Sequence, residues 1–210
     1  TSANDSFVVL ENSGGSLATI NISGSGTLGL IGSLANSITT IDANSSSTNL
    51  TLTTGTAGTT VTGGSGNDSI TLSGGTNNVT SSDGDDTINL GSGNDTVNTG
   101  SGDDNVVASA GTNNITTGSN NDQVTISGGS NTVNTGNNND VVNISNGNNN
   151  INSGSGDDQI TVSGGTNTIV TGNNNDTVNA SGGNNDIDTD AGNDQVVLTG
   201  GTNDVNTGSN

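Results

Sequence analysis

The chain of 210 residues has no lysine, arginine or histidine to set against 20 acidic residues, and its formal charge is −20. No intramolecular salt bridge can offset that charge, so the natural partner is a cation from solution. Phosphate recognition runs on Lys and Arg, which excludes nucleic acid as a direct partner. Anionic membrane surfaces are excluded on the same ground. Cysteine is absent, which removes disulfides and thiolate metal sites. Proline, methionine, tryptophan and tyrosine are absent too, and Phe7 is the sole aromatic residue. Apolar residues make up 24% of the chain, too few for an ordinary globular core. No apolar run approaches the length of a membrane span, which argues against membrane insertion. Acid–base catalysis usually draws on His, Glu, Lys, Tyr or Cys; only Glu11 and the aspartates are available, so the chain is read as non-enzymatic. It begins at Thr1 rather than Met, with no signal-like stretch, and is read as a mature or excised segment.

Composition alone would describe a disordered chain, but valine and isoleucine recur with strict regularity. From Gly63 to Asn206 the sequence divides into sixteen blocks of nine with no insertion or deletion, beginning GGSGNDSIT, LSGGTNNVT, SSDGDDTIN, LGSGNDTVN. Position eight is always Val or Ile, from Ile70 and Val79 to Val196 and Val205. Position four is Gly except at Asn120, Asn138 and Asn174. Gly and Asn tolerate positive φ, so position four is read as a left-handed turn residue. Helix is implausible with Gly and Asn recurring every few residues and β-branched residues supplying the core. The pattern predicts an all-β fold, a parallel β-roll or β-solenoid. Each coil has two short strands and two turns built from two nonads, with coils stacked about 4.8 Å apart.

The run Gly63-Gly64-Ser65-Gly66-Asn67-Asp68-Ser69-Ile70 resembles the RTX nonapeptide, G-G-x-G-x-D-x-U-x, and the resemblance extends over residues 63–206. It implies a right-handed roll with about eight calcium-motif coils, in which turns of successive coils hold calcium through Asp carboxylates and backbone carbonyls. It also implies an extracellular or cell-surface setting. Known roles in that family are secretion-linked tails of toxins and enzymes, adhesin stalks, surface-layer proteins and some ice binders.

Position six divides the repeat into two kinds. Asp68, Asp86, Asp104, Asp122, Asp140, Asp158, Asp176 and Asp194 recur in every second nonad, whereas the intervening blocks carry Asn at this position except for Asp95. With two nonads per coil, one edge is an Asp column and the other an Asn column. Carboxylates about 5 Å apart repel by roughly 1 kcal/mol in water and several times that when partly buried. The Asp column is therefore expected to hold about seven calcium ions between its eight turns, with the column residues as ligands. Asp83, Asp85, Asp103 and Asp157, in the same turns but off position six, are secondary candidates, for tuning the binding or for solubility alone. The Asn edge is expected to be calcium-free and to stack as an amide ladder, with Asp95 a solvated surface acid. A second apolar or small residue (Leu72, Leu90, Ala108, Ile126 and their successors) follows the core position by two after each Asp turn. After each Asn turn that slot is Ser or Thr, as at Ser81, Thr99, Thr117 and Thr135.

Residues 1–62 lack the nonad but carry apolar pairs at period two, Leu28 with Leu30 and Leu50 with Leu52, and are read as an irregular N-terminal solenoid segment or cap without calcium consensus. Phe7-Val8-Val9-Leu10 is the densest apolar run and is expected to cap the first coil, with pairing to another subunit as the alternative. The array spans 63–210 and stops inside a further turn, which points to a longer array or to a neighbouring subunit covering that end. The leading functional expectation is a calcium-stabilised structural unit of a surface layer, extracellular filament or adhesin stalk, self-associating head-to-tail or laterally. The alternatives are a secretion-linked module of a larger toxin or enzyme, and an ice-binding module presenting the column of Thr76, Asn94, Thr112 and Ser130.

Overall fold

The computed structural model describes residues 17–208, and among them strands and turns occur but no helix. The backbone winds as a β-solenoid whose strands fall alternately into two parallel sheets. One has 11 strands, from Thr19–Asn21 to Thr202–Asn206, and the other has 10, from Gly24–Ser33 to Gln195–Leu198. Each strand pairs with its counterpart one coil away: Val106 lies beside Ile88 and Val124, and Ile115 beside Val97 and Val133. Those partners are two nonads apart, as the repeat requires. At about 4.8 Å per coil the ten-stranded sheet makes a rod roughly 45 Å long.

The β-branched residue at position eight sets this geometry, because alternate side chains of a strand point to opposite faces. From Ile70 to Ile187 every position-eight side chain is at most 1% exposed. In the ten-stranded sheet a second inward column, Leu72, Leu90, Ala108, Ile126, Ile144, Val162 and Ala180, is likewise buried. Leu198, in the terminal strand of that sheet, is 38% exposed. In the eleven-stranded sheet the equivalent column is Ser or Thr from Ser81 to Thr189, and every member is fully buried. The core is thus one layer of aliphatic side chains backed on one side by hydroxyls.

Residues 17–62 belong to the same two sheets with longer coils. Thr19 pairs with Thr40, Thr40 with Thr60, and Gly24 with Ser46, each pair separated by more than two nonads of chain. The regular two-nonad pitch is in place by Thr51, which pairs with Ser69, and by Thr60, which pairs with Asn78. Ile41, Leu50 and Val61 are fully buried and continue the aliphatic columns. The apolar run Phe7–Leu10 lies outside the described residues.

The turns use the left-handed conformation that position four suggests. On the Asn edge Gly75, Gly93, Gly111, Gly129, Gly147, Gly165, Gly183 and Gly201 all have positive φ. On the Asp edge Gly84, Gly102, Asn120, Asn138, Gly156 and Asn174 do so. Close stacking adds a second constraint. A Cβ on Gly129, where φ is 95°, would collide with the carbonyl oxygen of Gly111 in the coil below, whereas a Cβ on its neighbour Gly128 would meet nothing within 4 Å. Gly129→Ala is therefore expected to cost at least about 2 kcal/mol, since strain and collision add. Gly128→Ala should stay within about 0.5 kcal/mol of the parent chain. Urea unfolding of the two variants in saturating calcium checks this, and equal costs would contradict the stacking geometry.

Candidate metal-binding edge

Position six closes each turn of the Asp edge and opens the following strand, and its side chain folds back under the turn. Asp86, Asp104, Asp122, Asp140, Asp158 and Asp176 are each 1–2% exposed. One carboxylate oxygen of each residue is committed to the backbone, because Oδ1 accepts the N–H of the Asp one coil earlier. The donor–acceptor distances are 2.7 Å for Asp68 to Asp86, 2.8 Å for Asp86 to Asp104 and 2.9 Å for Asp104 to Asp122. The same bond recurs at 2.8–2.9 Å to the Asp176–Asp194 pair. Asp68 begins the row by accepting from Leu50 N–H at 2.8 Å.

The second oxygen has no such partner. Oδ2 of Asp86, Asp104, Asp122, Asp140, Asp158, Asp176 and Asp194 is buried without a hydrogen bond. Beside the row stands the hydroxyl column of the same turns, since Ser81 and Asp86 share one turn and Thr117 and Asp122 another. Each hydroxyl has one proton and two acceptors competing for it. Thr99 donates to the carbonyl of Thr117 at 3.1 Å and Thr117 to that of Thr135 at 3.2 Å, so the neighbouring carboxylate has only a contested claim on the proton. Burial consequently pushes these carboxyls up from their ordinary value of 3.8, to about 7 at Asp86 and Asp122 and about 6 at Asp140 and Asp158. Asp68, Asp104 and Asp176 are raised for the same first reason. At Asp122 the Thr117 hydroxyl and the Asp104 N–H oppose the shift, while the Asp104 and Asp140 carboxylates push it further.

The Asn edge has the same scaffold with a donor in place of the second oxygen. Asn113 Nδ2 donates to Asn131 Oδ1 at 3.0 Å, Asn131 to Asn149 at 2.9 Å and Asn149 to Asn167 at 2.8 Å, a continuous amide ladder. The same nitrogens donate to the carbonyl three residues earlier, Asn113 to Ala110 and Asn131 to Gly128. Asp95 departs from the solvated acid expected of it. It is 2% exposed and occupies a rung of the ladder, its Oδ1 accepting both Asn77 N–H at 2.9 Å and Asn77 Nδ2 at 2.8 Å. The physical reason is that position six points inward on both edges, whatever residue fills it.

Asp83, Asp85, Asp103 and Asp157 stand on the outside of the Asp edge, exposed. Asp85 Oδ1 accepts the N–H of Asp103, Asp103 Oδ1 that of Asn121, and Asp157 Oδ1 that of Asn175, at 2.9–3.0 Å. Asp83 accepts from the Ser101 hydroxyl at 2.6 Å. These residues form an outer ladder of opposite polarity to the buried row. The exposed column on the other edge is also tied up in part, because Asn94 Oδ1 caps Thr112 N–H at 2.9 Å.

The buried row fits a hard divalent cation. It supplies an orphaned, desolvated carboxylate oxygen in every coil, in turns rich in glycine carbonyls, within a chain that has no positive side chain. No three acidic residues converge among the described residues, so an ion held here would complete its shell with neutral oxygens such as turn carbonyls and water, a donor set that suits calcium. The buried hydroxyl column beside the row escapes sequence reasoning. Its recurrence in every second nonad is visible there, but as a gap in the apolar pattern and not as a set of hydrogen-bond donors.

The family model of the RTX calcium-binding nonapeptide repeat, four copies long, matches residues 54–88, 73–106, 89–124, 98–133, 125–160, 143–178 and 161–196. No curated protein and no solved structure matches the chain.

The row can be tested through pH and through substitution. Raised carboxyls favour the fold while protonated, a contribution fully present below the unfolded value of 3.8 and lost as pH rises through about 6 to 7. Metal-free protein is therefore expected to keep a β-rich circular dichroism spectrum near about pH 4 and to lose it towards about pH 8, where added calcium restores it. A metal-free spectrum unchanged across that range would contradict the assignment. Replacing Asp122 and Asp140 together by Asn should have effects of opposite sign without and with calcium. In neutral metal-free protein the new amides remove two unpaired buried oxygens and stabilise by about 1–3 kcal/mol each, whereas in calcium the variant should be less stable than the parent. Replacing Asn113 and Asn131 by Ser should cost about 1–3 kcal/mol with or without calcium. Unfolding midpoints under both conditions separate the two edges.

Proposed function

Because the chain belongs to the RTX calcium-binding nonapeptide repeat family, we propose that it is a non-catalytic extracellular structural element. In this reading it is a calcium-stabilised solenoid serving as subunit or stalk of a surface layer, extracellular filament or adhesin. The observation that carries the reading is the unbroken row of buried, half-satisfied carboxylates from Asp86 to Asp194. Such a row is a poor catalytic arrangement, because every member already caps a backbone N–H and none faces an open cleft with a different acid or base. It is a good mechanical one.

About seven ions, one in each gap between the eight Asp-edge turns, would tie each coil to the next along one side. The Asn ladder does the same on the other side without metal. Asp68, Asp86, Asp104, Asp122, Asp140, Asp158, Asp176 and Asp194 are the proposed ligands. Millimolar calcium outside cells would keep the rod folded, and low calcium inside would leave the chain extended during export, because binding free energy is folding free energy when the apo site repels itself.

The outer faces carry Thr, Asn and Ser with no basic residue, which suits lateral or end-to-end contact with further copies through calcium and hydrogen bonds. Sedimentation and electron microscopy test this. In calcium the protein should form filaments, sheets or higher oligomers that disperse on chelation. A chain that stays a single particle at high concentration in calcium would rule out the subunit role.

A further inference from the structure

Asparagine followed by glycine occurs once in the chain, at Asn146-Gly147 in a turn of the Asn edge. Every other asparagine that has a successor is followed by a residue with a Cβ. The difference is chemical. A main-chain nitrogen can attack the side-chain amide of the residue before it, and a glycine leaves that approach open. At position three of this edge the array otherwise carries glycine, serine or alanine, so Asn146 brings an amide where no other coil of the edge has one.

The turn leaves both reacting groups unengaged. Asn146 is exposed, and its side-chain amide makes no hydrogen bond. Its Oδ1 lies 3.2 Å from where a Cβ on Gly164 would stand, and a Cβ on Gly128, one coil before, would meet nothing within 4 Å. Gly147 lies outside the strands, has a φ of 100° and donates its N–H to no acceptor. Asp83-Gly84, the one Asp-Gly pair in the chain, is the contrast. There Oδ1 accepts the Ser101 hydroxyl at 2.6 Å, and the Gly84 N–H donates to the Ser101 carbonyl at 2.8 Å.

We propose that Asn146 is a site of spontaneous covalent modification, converting through a succinimide to aspartate and isoaspartate. The Gly147 nitrogen forms a bond to Asn146 Cγ, the Cγ–Nδ2 bond breaks, and the amide leaves as ammonia with the proton from Gly147. Water then opens the ring. Cleavage of the new Cγ–N bond gives aspartate with the main chain unchanged. Cleavage at the α-carbonyl gives isoaspartate, in which the main chain runs through Cγ and is one methylene longer. The stack has little room for that methylene. A Cβ on Gly147 would collide with the carbonyl oxygen of Gly129, and the Gly147 carbonyl packs against Gly165 and accepts the Thr166 N–H at 3.2 Å. The Asn146 carbonyl that Asn149 Nδ2 reaches at 3.4 Å becomes a free carboxylate in the same step. Isoaspartate at this position therefore loosens the amide ladder at Asn149, between Asn131 and Asn167.

Ageing the calcium-loaded protein at mildly alkaline pH tests this. Digestion before aspartate releases residues 140–156, and mass spectrometry of the fragments locates the converted residue. Asn146 is expected to convert at least about tenfold faster than any other asparagine in residues 17–208, with isoaspartate among the products. The urea midpoint of the aged parent should fall, while aged Asn146→Gly, which matches Gly128 and Gly164, should hold its starting value. An Asn146 amide that survives while other asparagines convert overturns the site. Isoaspartate forming at Asp83 as fast as at Asn146 overturns the part given to the free Gly147 N–H. Conversion at position 146 with no fall in the midpoint overturns its coupling to the ladder.

Discussion

Carboxylates stacked one coil apart, in a chain that contains no positive side chain, govern the rest of this fold. Parallel stacking at two nonads per coil repeats every side chain directly above its predecessor, so a single acidic position becomes a continuous buried row. Asp104, Asp122 and Asp140 repel one another along that row while burial withholds the water that would screen them. At an effective dielectric near 20 two unit charges about 5 Å apart interact by roughly 3 kcal/mol, and the aliphatic layer is one side chain thick. Neutralisation by proton or by cation is therefore a condition of the fold and not an addition to it.

The two edges show how little chemistry separates a self-sufficient ladder from one that needs a neutralising partner. Both orient the position-six side chain by the same bond, Oδ1 to the N–H of the preceding coil, as at Asp104 and at Asn131. On one edge the remaining branch is NH2, which donates to the next rung and to its own turn. On the other it is an oxygen with nothing to accept from. Substituting one atom turns a hydrogen-bond donor into a charge that needs a counterion. The hydroxyls of Ser81, Thr99 and Thr117 stand beside the Asp row but have too few protons to satisfy it, because each is shared with a carbonyl.

Much of this was legible in the sequence because the repeat never slips. The invariant β-branched residue, the Gly or Asn at position four and the Asp in every second nonad lead directly to the two sheets, the left-handed turns and the Asp column along one edge. What the sequence concealed was orientation. Nothing in the letter at position 95 distinguishes an acid facing water from one facing inward, and only the burial of the whole column places Asp95 in the interior. Likewise Thr99 and Thr117 read as a polar side of the core, whereas their contribution is to cap the next coil and lie against the carboxylates. The longer coils of residues 19–62 were visible as loss of the nonad, but their place in the same two sheets depends on pairings such as Ile20 with Ile41 that no motif announces.

Stacked repeats contact only their neighbours, so their stability is a sum of coil terms and interface terms. With calcium in the Asp row as proposed, the interface term on one edge is conditional on a cation, while that on the other rests on the amide ladder. A coil that loses its ion keeps its amide bond and its aliphatic contact with the next coil but regains the repulsion. Opening should then begin along the Asp edge and spread lengthwise, with the Asn ladder as the hinge line. On the proposed reading, that asymmetry lets a thin, nearly aromatic-free chain be a stiff rod where calcium is abundant and an unfolded, extended chain where it is scarce.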